Sequence, residues 1–162
     1  MQRIVTAQGQ AGAQYGIGKM YYVGQGVPQN YAEAVKWYRL AAGQGVENAY
    51  KLLATIYSDG LGVPQNYSEA AMWHSLSAEQ GDTNSQLQLG GMYMTGQGVP
   101  QDYIESHKWF NLAAANGSDL GRRGREIAAK RMTSADISEA QLLARGTGLH
   151  CRDVAGRRAL SA

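Results

Sequence analysis

Trp37, Trp73 and Trp109 stand 36 residues apart, and the chain's three prolines, Pro28, Pro64 and Pro100, keep the same interval. Each proline belongs to a Gly-x-Gly-Val-Pro-Gln segment, beginning at Gly24, Gly60 and Gly96. Cut on this period, residues 10–45, 46–81 and 82–117 form three units in which 12 of 36 columns are identical. A period of this length marks an array: each unit is one supersecondary element that cannot bury its apolar face alone, so neighbours must stack.

The columns spell out the unit. Ala49, Leu53 and Tyr57, with Leu52 and Ile56 one residue earlier, place apolar groups at helical spacing and predict a first helix, helix A. Gly60 and Gly62 end it, because glycine adopts the positive φ of a helix C-terminus without steric cost, and Pro64 forbids continuation. Asn30, Asn66 and Asp102 are followed three residues later by Glu33, Glu69 and Glu105, the spacing of a reciprocal N-terminal cap. Helix B is therefore predicted to start there, to run through Ala34, Trp37, Leu40 and Ala41 on one face, and to stop at Gly45. Trp, Tyr and Leu are expected to fill the space between units. The expected fold is all-α: a right-handed αα-superhelix, or solenoid, of three 36-residue helix-turn-helix repeats plus C-terminal capping helices.

Met20-Tyr21-x-x-Gly24-x-Gly26-Val27 and Ala34-x-x-Trp37-x-x-x-Ala41-Ala42-x-x-Gly45 resemble the unit of the Sel-one-like repeat (SLR) proteins, a tetratricopeptide-like α-solenoid family, and the likeness points to a bacterial member. The resemblance covers residues 10–117. Ser106 replaces the helix B alanine, Ser77 one of the paired alanines, and Asn30 and Asn66 the usual aspartate, departures that bear on local packing. The resemblance implies a non-catalytic protein–protein interaction scaffold or adaptor.

Outside the array, Ala7-Gln8-Gly9 align with the last columns of a unit, so residues 1–9 are expected to be the end of a preceding repeat or an N-terminal cap. Residues 118–145 are read as capping helices: 119–132 turns basic, with Arg122, Arg123, Arg125, Lys130 and Arg131, and Thr133 to Asp136 caps a last short helix. Residues 146–162 show no period and are expected to form a disordered tail. Met1 to Val5 lack a secretory signal, so the chain as written is expected in the cytoplasm, and in the periplasm or outside the cell if its N-terminus is truncated.

Composition removes several classes of function. With 17% charged and 44% apolar residues the chain is not a disordered one, and no stretch supplies the roughly 20 apolar residues that membrane insertion requires. Cys151 is alone and cannot form an intrachain disulfide. Residues 1–117 carry six basic and eight acidic side chains, residues 118–162 nine and five. Asp119 and Glu126 interrupt the basic run and no aromatic residue interleaves it, which argues against nucleic acid and for a solvated cap or an electrostatic contact with an acidic partner.

Catalytic patterns are missing as well. No serine has a lysine three residues on, as the β-lactamases with which some family members have been associated require, and there is no Gly-x-Ser-x-Gly, His-Glu-x-x-His or Gly-x-x-x-x-Gly-Lys. His74 and His107 are read as exposed helix residues and His150-Cys151 as part of the tail. We therefore expect no catalytic residue, no metal and no cofactor. A weak hydrolase is the disfavoured alternative; an exported, envelope-associated factor contacting cell-wall material or a host protein is the other.

What remains is the concave groove that helix A lines in such arrays. On helix A the repeated columns, such as Ile17/Leu53/Leu89 and Tyr21/Tyr57/Tyr93, belong to the scaffold, and the variable columns beside them are the candidates. They are Tyr15, Lys19 and Tyr22; Asn48, Lys51 and Thr55; and Asn84, Leu87 and Met94. Aromatic and methionine anchors beside amide and ammonium groups suit a peptide or a partner protein. An exposed helix face at the N-terminal end also leaves room for end-to-end self-association.

Overall fold

The computed structural model describes the backbone of residues 2–159 and the side chains of residues 9–146. Among the described residues it has eight α-helices and no strand: α1 (Gln2–Val23), α2 (Tyr31–Gly43), α3 (Glu47–Asp59), α4 (Tyr67–Glu79), α5 (Thr83–Thr95), α6 (Tyr103–Ala115), α7 (Asp119–Ala129) and α8 (Ser134–Ala159). Two compact units, Met1–Trp73 and His74–Ala162, divide within α4.

Each repeat closes its turn with its own atoms. Helix A ends on a left-handed glycine, Gly24, Gly60 or Gly96, with φ of 77°, 68° and 74°. Gln29, Gln65 and Gln101 then reach back: their Nε2 groups donate to the carbonyls of Tyr22, Ser58 and Met94 at 2.9, 2.6 and 2.8 Å. The same nitrogens lie 3.0, 2.9 and 3.2 Å from the hydroxyls of Tyr31, Tyr67 and Tyr103. One amide thus satisfies an orphan carbonyl of helix A and ties down the first residue of helix B, which explains why the Gln and Tyr columns are identical.

The predicted cap forms in half. Asn30, Asn66 and Asp102 each accept from the backbone N–H three residues on, at 3.1 Å. The returning half is pre-empted, because the backbone N–H of each cap residue is given to the carbonyl of Tyr21, Tyr57 or Tyr93 at 2.9 Å. That bond stitches helix B to helix A. Glu33, Glu69 and Glu105 pair instead with Lys36, Arg39 and Lys108. The reciprocal cap occurs in full at α8, where the Thr133 N–H donates to Asp136 and the Asp136 N–H to the Thr133 hydroxyl.

The buried face of helix B differs from the expected one. In α2 it comprises Ala34, Val35, Tyr38, Ala41 and Ala42, an arc centred on Tyr38. Leu40 lies far around the helix from that arc, and Leu40 and Leu76 are 52% and 38% exposed despite their repetition. The ring at the arc's centre is matched by glycine on helix A. A Cβ on Gly18 would stand 2.7 Å from the Tyr38 ring, and one on Gly90 2.8 Å from Phe110. Phe110 is pressed from α7 too, where a Cβ on Gly124 would come within 2.6 Å.

In the first unit Arg39 binds three helices together. Its guanidinium donates to the Tyr57 hydroxyl at 2.7 Å and to Glu69 at 3.1 Å, and lies 5.5 and 5.8 Å from the Tyr57 and Trp73 ring centres. The turn of the second repeat also rests on α2: a Cβ on Gly62 would meet Tyr31 Cβ at 2.6 Å. In the second unit Arg125 of α7 donates to Asn111 of α6 at 2.9 Å, and the Ser106 hydroxyl, standing where alanine was expected, donates to the Gly90 carbonyl at 2.7 Å.

The ends differ from expectation. α1 passes through Gly9 without the positive φ that stops a helix at Gly45, so residues 2–9 and helix A of the first repeat are one 22-residue helix. An interior glycine costs only about 1 kcal/mol and does not by itself end a helix. α8 likewise continues past residue 145 to Ala159; of the segment 146–162 read as a tail, the side chains beyond Gly146 and residues 160–162 lie outside the described residues.

Candidate functional site

Helical geometry puts Tyr15, Lys19 and Tyr22 on one face of α1, Asn48, Lys51 and Thr55 on one face of α3, and Asn84, Leu87 and Met94 on one face of α5. None of the nine is buried, but they do different work. Tyr15 and Tyr22 are half-buried against the fully buried Tyr38, with ring centres 5.7 and 6.3 Å away, and Tyr22 meets Tyr31 edge-on at 5.3 Å. Burial, then Tyr31 and Asp59, push the Tyr22 hydroxyl above the ordinary tyrosine range. These two rings belong in large part to the core between α1 and α2. Lys19, Asn48, Lys51 and Thr55 are exposed, and the Thr55 hydroxyl donates to the Lys51 carbonyl of its own helix at 3.0 Å. In the second unit Asn84 is exposed, while Leu87 and Met94 are half-buried and flank Gly91, around which no atom lies within 4 Å of a Cβ position.

Sequence reasoning missed a fourth row. α7 is capped by Ser118, which stands 36 residues after the α5 cap Asp82 and 72 after the α3 cap Val46. It is a fourth helix A, and Leu120, Arg123, Ile127 and Lys130 fall in the columns of Asn84, Leu87, Gly91 and Met94. Its inner face is Gly121, Gly124 and Ala128. The signal was the cap spacing together with these small residues; it was hidden because the Gly-Val-Pro-Gln turn does not follow.

The histidines are not exposed as expected: His74 is 9% and His107 3% exposed. Both lie in the buried arc of helix B, in the columns of Tyr38 and Val35. Burial pushes both imidazoles below the ordinary value; Asp82 partly opposes this for His74, and Arg125 reinforces it for His107. His74 Nδ1 lies 3.4 Å from the Ser85 hydroxyl, and Asp82 is close, which brings serine, histidine and aspartate together. They do not form a nucleophilic triad. Asp82 accepts the Ser85 backbone N–H at 2.9 Å as the α5 cap, and Ser85 is 2% exposed, so its hydroxyl is closed to a substrate. Among the described residues no group of three or more His, Cys, Asp or Glu side chains is placed to hold a metal, and no helix is long and apolar enough to cross a membrane.

Comparison with known proteins agrees with the repeat geometry. The sequence model of the Sel1 repeat matches residues 11–46, 48–82 and 83–118. No curated protein matches the chain. Among solved structures, a Sel1 repeat protein from Oxalobacter formigenes is similar at 28% identity and a TM-score of 0.64, over 78% of this chain and 98% of that one. The protein c5321, a protective antigen present in uropathogenic Escherichia coli strains and displaying an SLR fold, is similar at 28% identity and a TM-score of 0.54. That match covers 90% of this chain and 39% of the antigen.

Proposed function

The chain belongs to the Sel1 repeat family, and on that premise we propose that it is a non-catalytic adaptor that binds an extended peptide or a partner protein through its helix A faces. One observation carries the reading. Most of the columns identical in all repeats serve turn closure and packing, whereas the variable positions Lys19, Asn48 and Asn84, and Thr55 with its hydroxyl turned to its own helix, stand exposed on helix A. Tyr15, Tyr22 and Lys51 complete the proposed face of the first unit, the two tyrosines as its anchored floor, and Leu87 and Met94 complete that of the second.

The test is capture of partners from the source cell's lysate by the chain and by a Lys19→Glu, Asn48→Arg variant, with mass spectrometry of what is retained. Loss of a protein from the variant, at unchanged helical content, is expected. Equal capture by both refutes the helix A reading. An exported role in contact with cell-wall material or a host protein is the second reading, favoured by the likeness to the protective antigen; binding of the purified chain to isolated envelope fractions tests it.

A further inference from the structure

The outward face of α7 is not that of a simple cap. A terminal helix that only seals an array turns polar groups to water, yet Leu120 and Ile127 are 63% and 53% exposed. Between them on the same face stands Arg123, exposed and with no ion pair or hydrogen bond among the described residues. Its neighbours are engaged: Arg122 pairs with Asp119, and Arg125 donates to Asn111. α7 also packs against α5 within the second unit, and the helix A columns continue from one to the other, adding the half-buried Leu87 and Met94 to the face.

Resting on the adaptor reading above, we infer that the α5–α7 face docks an acidic, leucine-type peptide of a partner protein, with apolar side chains on Leu120 and Ile127 and a carboxylate on Arg123. Charge selects this occupant. Residues 118–131, which hold α7, carry five basic and two acidic groups, so the face favours an anionic ligand. The chain's own last segment, with Arg152, Arg157 and Arg158 against Asp153, has the wrong sign to cover it. Spacing adds a second constraint. Leu120 and Ile127 lie about 10 Å apart along α7 at 1.5 Å per residue, close to the roughly 9 Å that separates same-face residues three apart in a polyproline II strand. The ligand pattern is therefore an apolar residue, two positions rich in Asp or Glu, and a second apolar residue.

The experiment is fluorescence anisotropy of the full chain with a labelled Pro-Leu-Glu-Glu-Leu-Glu-Glu-Leu-Pro peptide, beside versions in which lysine replaces glutamate or serine replaces leucine. Saturable, salt-sensitive binding of the first peptide is expected, with roughly tenfold weaker binding by Arg123→Glu and by Leu120→Ser with Ile127→Ser. All the substituted side chains are exposed, and circular dichroism verifies that the helices are kept. No saturation by about 1 mM, equal binding by the variants, or equal affinity for the lysine peptide overturns the inference. So does a dimer in sedimentation that Arg123→Glu dissolves, which would give the face to a second copy. Partner capture that depends on Lys19 and Asn48, together with a peptide that ignores Arg123, would leave the adaptor standing and remove this docking face.

Discussion

Gly90 and Gly91 are adjacent on α5, and alanine at the two positions should move stability in opposite directions. At either site alanine relieves the conformational cost of a helical glycine, a gain of about 1 kcal/mol. At Gly91 nothing lies within 4 Å of the new Cβ, so the gain stands. At Gly90 the methyl would sit 2.8 Å from two atoms of the Phe110 ring and 2.9 Å from a third, against an ordinary contact of 3.4–4 Å. The ring edge would have to retreat by about 0.6 Å, while the same atoms are already pressed by Gly124, whose own Cβ would come within 2.6 Å. Overfilling of this kind costs about 1–3 kcal/mol. After the propensity gain, Gly90→Ala should lose roughly 1 kcal/mol where Gly91→Ala gains about 1. For a chain of this size the gap corresponds to about 4–8 °C between the melting midpoints followed by far-ultraviolet circular dichroism. Two repeats carry the same rule, Gly18 with the ring of Tyr38 and Gly90 with that of Phe110. Equal midpoints for the two variants would refute the ring-against-glycine account.

Acid should weaken the second unit. His74 and His107 have folded pKa values below the ordinary imidazole value, so as pH falls below about 6.5 the unfolded chain takes up protons that the folded one refuses. Stability is then full above that pH and declines below it; the melting midpoint should drop between about pH 7.5 and 5.5, and by less in His107→Val. Gln65→Ala leaves the Ser58 carbonyl and the Tyr67 hydroxyl without their shared donor and should cost about 1 kcal/mol in urea unfolding, whereas Asp102→Asn, which recreates the cap of the other repeats, should be within about 0.5 kcal/mol of the parent. Gly62→Ala combines a φ of 65° with a methyl 2.6 Å from Tyr31 Cβ, and should destabilise by more than Gly45→Ala, where φ is 84° but the space is open.

The array was legible because its strongest determinants are local. Glycine at a positive φ, proline after it and a capping Asn or Asp three residues before Glu are each decided within a few residues, and repetition excludes coincidence. What the sequence obscured depends on angles and on partners. Trp37, Leu40 and Ala41 share a stripe as well as Tyr38 and Ala42 do, and only the position of the facing helix makes Tyr38 the centre and leaves Leu40 in water. The buried histidines were misplaced for the same reason, since a polar residue in an apolar column reads as surface until its neighbours are known. α7 was expected as a capping helix, and its identity as a fourth helix A was hidden because it keeps the small inner residues of helix A without the turn that announces one. Of the candidate face, the exposed positions of α1, α3 and α5 followed from the columns, but the double duty of Tyr15 and Tyr22 did not, because it arises from the bulk of Tyr38.

The bond from each cap residue's N–H to the carbonyl of the preceding Tyr21, Tyr57 or Tyr93 gives the fold a unit of inheritance. Donor and acceptor lie nine positions apart inside one repeat, so a duplicated stretch of 36 residues would arrive with its corner already made. Gain or loss of whole repeats therefore leaves every remaining corner intact, while an insertion of one or two residues between the tyrosine and its cap breaks one. The array can change length by copying and can change its exposed surface by drift on the outer columns, and the two kinds of change do not interfere.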